Sequence, residues 1–248
     1  ASGATRFCMG AAWRSPKDRD LDAVEDMVKA VKALGLETCA TLGMLKEEQA
    51  QRLANAGLDY YNHNLDSAPE FYGDIISTRD YQDRLDTLGH VREAGLKVCC
   101  GGIVGMGETR EDRCDLALTL REIGANVVPI NILNPIAGTP FADNPKLPPL
   151  EILQTIACFR FLLPRQEIMI AGGRTVNLRD LQSMIFAAGA SALMVGNYLT
   201  TLNQPVEKDL QMLKDLGLDP DWDSHDFADQ EEGGCGCGKE RCESASVS

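Results

Sequence analysis

Apolar positions along this chain alternate between two spacings. Leu21, Val24, Met27, Val28, Val31 and Leu34 recur every three or four residues, which lines one face of a helix. Asp20 reads as its N-cap. Similar patterns predict helices near 46–56, 79–94, 109–123, 150–163, 177–188 and 206–216. Between them lie seven short strand candidates: 5–10, 37–42, 59–65, 97–104, 127–133, 167–172 and 192–196. The junctions share a signal. Leu34-Gly35-Leu36, Ala56-Gly57-Leu58 and Ala94-Gly95-Leu96 each close a helix and open a strand, and Gly124 and Gly189 start variants of it. Glycine accepts the left-handed conformation past the last helical turn, and the next apolar residue packs back on the helix.

Strands alternating with helices predict a parallel sheet with right-handed crossovers. The expected fold class is α/β, a (β/α)8 TIM-type barrel of about seven legible strands. The first candidate begins almost at residue 1, so the eighth βα unit is expected before it. Residues 1–219 are expected to form the barrel. Residues 220–248 read as a flexible acidic tail containing Cys235, Cys237 and Cys242, with no dedicated metal site.

Alternation within the strands assigns faces. Arg6 and Cys8 oppose Phe7 and Met9; Asn62, Asn64 and Asp66 oppose Tyr61, His63 and Leu65; Asn131 opposes Ile130 and Ile132. Barrel interiors are normally filled by branched apolar residues. Polar inward faces predict a ligand cavity instead, with His63 packed outside it.

Composition narrows the chemistry. The chain has 248 residues, 44% of them hydrophobic, and a net charge of −13. Such acidity argues against a nucleic-acid partner. No apolar run reaches the roughly 18 residues of a membrane span. Nine cysteines without an export signal point to reduced thiols and a cytoplasmic protein.

Three of those cysteines carry the strongest signal. Cys8, Cys39 and Cys99 stand on three separate strands, 31 and 60 residues apart. Each alone reads as a small buried hydrophobe. Together on inward faces, they predict thiolates converging on zinc or an iron–sulfur cluster. Cys100 points the other way, and Cys114 and Cys158 fall in helices and read as structural. Asn62, Asn64 and Asp66 form an amide–amide–carboxylate ladder, suited to an amide or urea-like ligand and to ribose hydroxyls; an Asx turn at a strand end explains the same spacing. Gly101 to Gly107 follows a strand and fits close approach of a flat ring, but not the dinucleotide fingerprint. Arg174 follows the sixth strand candidate, as an ion-pair former or a lumen cation.

Thr5-Arg6-Phe7-Cys8-Met9-Gly10-Ala11-Ala12-Trp13, Tyr60-Tyr61-Asn62-His63-Asn64-Leu65-Asp66, Cys99-Cys100-Gly101-Gly102-Ile103, Val128-Pro129-Ile130-Asn131 and Gly196-Asn197-Tyr198-Leu199 together resemble the biotin synthase family of radical S-adenosylmethionine enzymes. The resemblance covers about residues 3–220. It implies that Cys8, Cys39, Cys99 and Arg174 hold a [2Fe–2S] cluster, with Arg6 beside it. Arginine is an unusual ligand because its guanidinium stays protonated. It further implies S-adenosylmethionine contacts at Ala11, Asn64, Asp66, Ile103 and Gly105, and dethiobiotin contacts at Asn62, Asn64 and Asn131.

The implied reaction is sulfur insertion into dethiobiotin, with a [4Fe–4S] cluster reducing S-adenosylmethionine. A flavodoxin- or ferredoxin-type electron donor and a homodimer come with the resemblance. The CxxxCxxC motif of the larger cluster does not occur in the 248 residues, and is expected in the absent first unit, leaving this chain inactive alone. Two other readings stand beside this one. A non-enzymatic iron–sulfur or metal-binding barrel remnant needs only the thiols. A zinc-dependent barrel hydrolase lacks an inward histidine.

Overall fold

The seven strand candidates fold into one parallel sheet with helices on its outer face. The structure is a computed structural model and describes residues 4–198 and 202–219; the predicted tail and Leu199 lie outside them. The strands are β1 (Arg6–Gly10), β2 (Glu37–Thr41), β3 (Tyr60–Asn62), β4 (Lys97–Cys99), β5 (Gly102–Val104), β6 (Val127–Ile132), β7 (Glu167–Ile170) and β8 (Ala192–Leu193). They run β1-β2-β3-β4-β6-β7-β8, with β5 paired to β6. Every ladder is parallel. The architecture is the TIM-type α/β barrel, seven strand positions long. Among the described residues no ladder joins β1 to β8.

The helices are α1 (Asp18–Lys32), α2 (Glu47–Asn55), α3 (Pro69–Ile75), α4 (Tyr81–Glu93), α5 (Arg110–Glu122), α6 (Pro149–Leu162), α7 (Arg174–Leu178), α8 (Met184–Ala187) and α9 (Val206–Asp215). None among the described residues is long and apolar enough to cross a membrane. The junction glycines Gly35, Gly57, Gly95, Gly124 and Gly189 all have left-handed φ, from 68° to 109°.

Three local expectations change. The first helix starts at Asp18, capped by Lys17, so Asp20 lies within its first turn, where a carboxylate favours the helix dipole. Its buried stripe is narrower than the periodicity implied: Leu21, Val24 and Val28 are buried, while Met27 and Leu34 are 49% and 75% exposed. The predicted helix at 177–188 is broken into α7, a 3-10 turn (Arg179–Leu181) and α8, because Arg179 adopts φ 51°. The short α3 went unread, its apolar pattern being too brief.

The main core lies between sheet and helices. Ala40, Tyr61, Val98, Val128 and Ile168 from the strands meet Leu53, Leu88, Leu120 and Ile156 from the helices, all at most 1% exposed. Full burial of one such aliphatic side chain stabilises by about 1.5–3 kcal/mol. Cys100 belongs to this outer core, as expected.

β4 and β5 are two halves of one expected strand, interrupted at Cys100 and Gly101. A Cβ on Gly101 would sit 1.9 Å from the Pro129 carbonyl oxygen. Gly101→Ala must therefore push β6 away, and is expected to destabilise the fold by about 3 kcal/mol, read as a lower urea midpoint. An unchanged midpoint would refute the close contact.

Candidate functional site

The register places inward side chains in tiers. Arg6 pairs with Glu37 and Cys8 with Cys39 across β1 and β2, and Asn62 pairs with Cys99 across β3 and β4. At the strands' N-terminal end, the Arg6 guanidinium lies 2.8 Å from Glu37, 3.3 Å from Glu167 on β7, and 3.7 Å from the centre of the Tyr60 ring. Lys97 Nζ donates to the Tyr60 hydroxyl at 3.3 Å. Burial opposes the Arg6 charge, but Glu167 and Glu37 overcome it and raise its pKa. This tier is a charged floor.

The thiols sit above it. Cys39 stands in register with Cys8 on the neighbouring strand and packs in one buried cluster with Cys99. Cys39 and Cys99 are each 2% exposed and pack with Tyr60, Val127 and Met169. Cys8, on the end strand of the sheet, is exposed. The neighbouring Cys39 thiol and the Arg6 charge lower the Cys8 thiol to about 7. Cys39, between the other two thiols and buried, is held well above the usual thiol range. The Asn62 amide donates to Cys99 Sγ at 3.3 Å. In the metal-free chain, alkylation of Cys8 by iodoacetamide is expected to rise about tenfold per pH unit up to a midpoint near 7 and level off above it. Arg6→Leu should move that midpoint up. A midpoint of about 8.5 or higher in the unaltered chain would mean an ordinary thiol.

The third tier opens at the strands' C-terminal ends, where barrel enzymes place their chemistry. A pocket of about 300 Å³ is lined by Ala11, Thr41, Asn62, Asn64, Asp66 and Arg84 among others. Asn62 thus touches both the pocket and the thiols. Asn64 Oδ1 accepts from the Gly101 amide at 3.1 Å. Arg84 reaches Asp66 at 2.6 Å and the Asn64 carbonyl at 2.5 Å, and donates to the Tyr72 hydroxyl at 2.7 Å. Burial raises the Asp66 carboxyl, with Arg84 and Arg79 opposing. His63 is packed, 4% exposed, and burial lowers it to about 3, so it stays neutral. The Ile103 amide donates to the Asp66 carbonyl at 2.8 Å. Glu108 accepts from the Gly105 and Met106 amides and from Arg113, which fixes the glycine loop. Asn131 accepts from the Gly172 amide at 3.0 Å and donates to the Gly102 carbonyl at 3.4 Å.

The structure thus assembles Cys8, Cys39 and Cys99 with Arg6 and Asn62, and Ala11, Asn64 and Asp66 around the pocket. It does not bring Arg174 to the thiols. Arg174 lies beyond the end of β7, after Gly172 and Gly173, and its side chain is fully buried under α9. It donates to Gln182 at 2.7 Å and pairs with Asp209 at 2.9 Å. The β7 side chain that does face the thiols is Met169. Alternation with Ile168 and Ile170 is the signal that could have found that face, but a methionine carries no chemical signal. Glu37, Glu167 and Arg84 were likewise missed, since their partners are distant in sequence. Among the described residues no three His, Cys, Asp or Glu side chains group around a single-ion site.

Comparisons with known proteins address the family and the fold. A Radical SAM superfamily model matches residues 14–120, and the Biotin and Thiamin Synthesis associated domain matches residues 129–219. Among solved structures, methylornithine synthase (PylB) superposes with TM-score 0.76 at 18% identity, over 92% of this chain and 71% of that one. The hydrogenase maturase HydG of Carboxydothermus hydrogenoformans gives 0.70 at 20% identity, over 88% and 56%. At such identities the likeness shows the fold alone. Biotin synthase 2 of Polaromonas sp. strain JS666 is 58% identical over 87% of this chain and 64% of its own length. The chain therefore spans a little under two thirds of that relative. Biotin synthase of Stenotrophomonas maltophilia strain K279a is 53% identical over 96% of this chain and 73% of its own length. With that identity over nearly the whole chain, and with the site tiers built from the shared barrel, this protein belongs to the biotin synthase family.

Proposed function

We propose that this chain forms the barrel in which sulfur is inserted into dethiobiotin to give biotin, with S-adenosylmethionine as co-substrate. The observation that supports it is the clustering of three strand-borne thiols beside an amide- and carboxylate-lined pocket, with Asn62 bordering both. Cys8, Cys39 and Cys99 would supply three of the four ligands of a [2Fe–2S] cluster, Asn62 offers an N–H to a ligand sulfur, and Arg6 supplies a cation to offset cluster charge. The pocket offers Ala11, Asn64 and Asp66 to S-adenosylmethionine, and Ile103, whose amide is bonded to the Asp66 carbonyl, and Gly105 would extend that surface along the glycine loop. No ligand set for a [4Fe–4S] cluster is present among the described residues, and no step is derived through one. Bound S-adenosylmethionine supplies hydrogen-abstracting chemistry, and the smaller cluster supplies sulfur.

The chain's own residues bind and orient. Cys8, Cys39 and Cys99 anchor the sulfur source. Asn62 joins the cluster side to the substrate side, so its amide fixes their relative position. Asn131, already oriented by Gly172 and Gly102, presents its amide to the ureido group of dethiobiotin. The Asp66 carboxylate, steadied by Arg84, accepts from ribose hydroxyls. A homodimer, a flavodoxin- or ferredoxin-type electron donor and a cytoplasmic location belong to the same proposal.

Anaerobic reconstitution tests it. The chain should take up iron and sulfide in equal amounts, about two of each. The complete gene product should convert dethiobiotin to biotin with S-adenosylmethionine and a reductant. Cluster uptake without turnover in that product would favour a non-enzymatic iron–sulfur barrel, and uptake of zinc alone would exclude sulfur insertion.

A further inference from the structure

Two cysteines lie outside the site, on the barrel's outer wall. Cys114 on α5 and Cys158 on α6 are 44 residues apart in sequence, yet their sulfurs are 3.4 Å apart. Both thiols are partly exposed. Helical geometry accounts for the meeting. Glu151, Thr155 and Cys158 follow the four- and three-residue steps of one face of α6. Arg113, the neighbour of Cys114, reaches Glu151 at 2.9 Å and Thr155 at 3.4 Å. The same two faces that make this partly buried ion pair place the sulfurs in contact.

We propose that Cys114 and Cys158 are a reversible dithiol–disulfide site that responds to low-molecular-weight disulfides such as glutathione disulfide. The thiolate of one cysteine attacks a glutathione sulfur, the S–S bond breaks, and one glutathione thiolate leaves. The second cysteine, deprotonated, attacks its partner's sulfur in the mixed disulfide and expels the second glutathione. Two electrons pass from the pair to the glutathione disulfide, which leaves as two thiols, and the protons released by the cysteines return to them. A dithiol reductant reverses both exchanges. Burial, then the hydrogen bond to Cys158, push the Cys114 thiol up to about 11. That disfavours Cys114 as the first nucleophile. Closure ties the helix that follows the glycine loop to the helix that follows the Asn131 strand.

The full chain, equilibrated anaerobically in buffers of rising glutathione disulfide to glutathione ratio, alkylated and digested with trypsin, tests this. The fragment running from Cys114 to Arg121 and the one containing Cys158 should appear linked, lighter than their sum by two hydrogens. The linked species should rise with the ratio and vanish with dithiothreitol. In parallel, the melting temperature should rise by about 5 °C, and Cys158→Ser should remove that rise. Recovery of the two fragments only as separate alkylated or glutathionylated peptides would overturn the proposal. So would the same thermal shift in Cys158→Ser. The mapping on unaltered protein stands even if a variant folds poorly.

Discussion

Cys39→Ser is expected to abolish assembly of the smaller cluster. Cys39 is the middle thiol, in register with Cys8 and packed with Cys99, and it is almost wholly buried. A hydroxyl in its place is a harder and far less acidic ligand, so iron loses the one sulfur that joins the other two. Reconstituted iron and sulfide should fall to background, and the visible absorption should disappear. Biotin formation by the complete gene product should drop by more than the roughly 10–100-fold that follows loss of an outer-shell partner. Circular dichroism and the metal-free melting temperature should change little, because serine is nearly isosteric. Retention of the full chromophore by this variant would remove the thiol group from the cluster site.

Arg174→Leu should act on stability instead. The guanidinium and the Asp209 carboxylate are both fully buried, and Arg174 Nε has no partner. Removing one member leaves the other charge in a low-dielectric setting, at a cost of about 3–5 kcal/mol. The melting temperature should fall by about 10 °C. Asp209→Leu should do the same, and the double variant should recover much of the loss, because two apolar side chains bury no unpaired charge. A cluster-ligand role predicts the reverse pattern: little thermal effect and an altered cluster absorption spectrum. The double-variant cycle decides between them.

The difference between these residues explains what was legible in the sequence. Strand alternation is a local rule. It placed Cys8, Cys39, Asn62, Asn64 and Asp66 inward, because each sits on or beside a strand whose apolar side is unambiguous. The helix-stopping glycines were legible for the same reason. Arg174 lies past a strand's end, where two glycines turn the chain and alternation no longer dictates direction. Only α9, some thirty residues on, says which carboxylate it meets. The floor of the barrel was hidden likewise. Arg6, Glu37, Tyr60 and Glu167 come from four strands, and the sequence does not say which charges will face each other across a lumen. Cys114 and Cys158 could be placed on helices, but their contact depends on how α5 and α6 pack.

The interruption between β4 and β5 has a consequence for binding. The Asn64 side chain, the Leu65 and Asp66 amides, and the Asp66 carbonyl are already hydrogen-bonded across that break, to Gly101 and Ile103. The wall that would meet a nucleoside is therefore ordered before anything arrives. Little conformational entropy remains to be lost on association. Loosening this stitch should first show as faster ligand escape, with the rate of chemistry in the filled pocket left nearly intact.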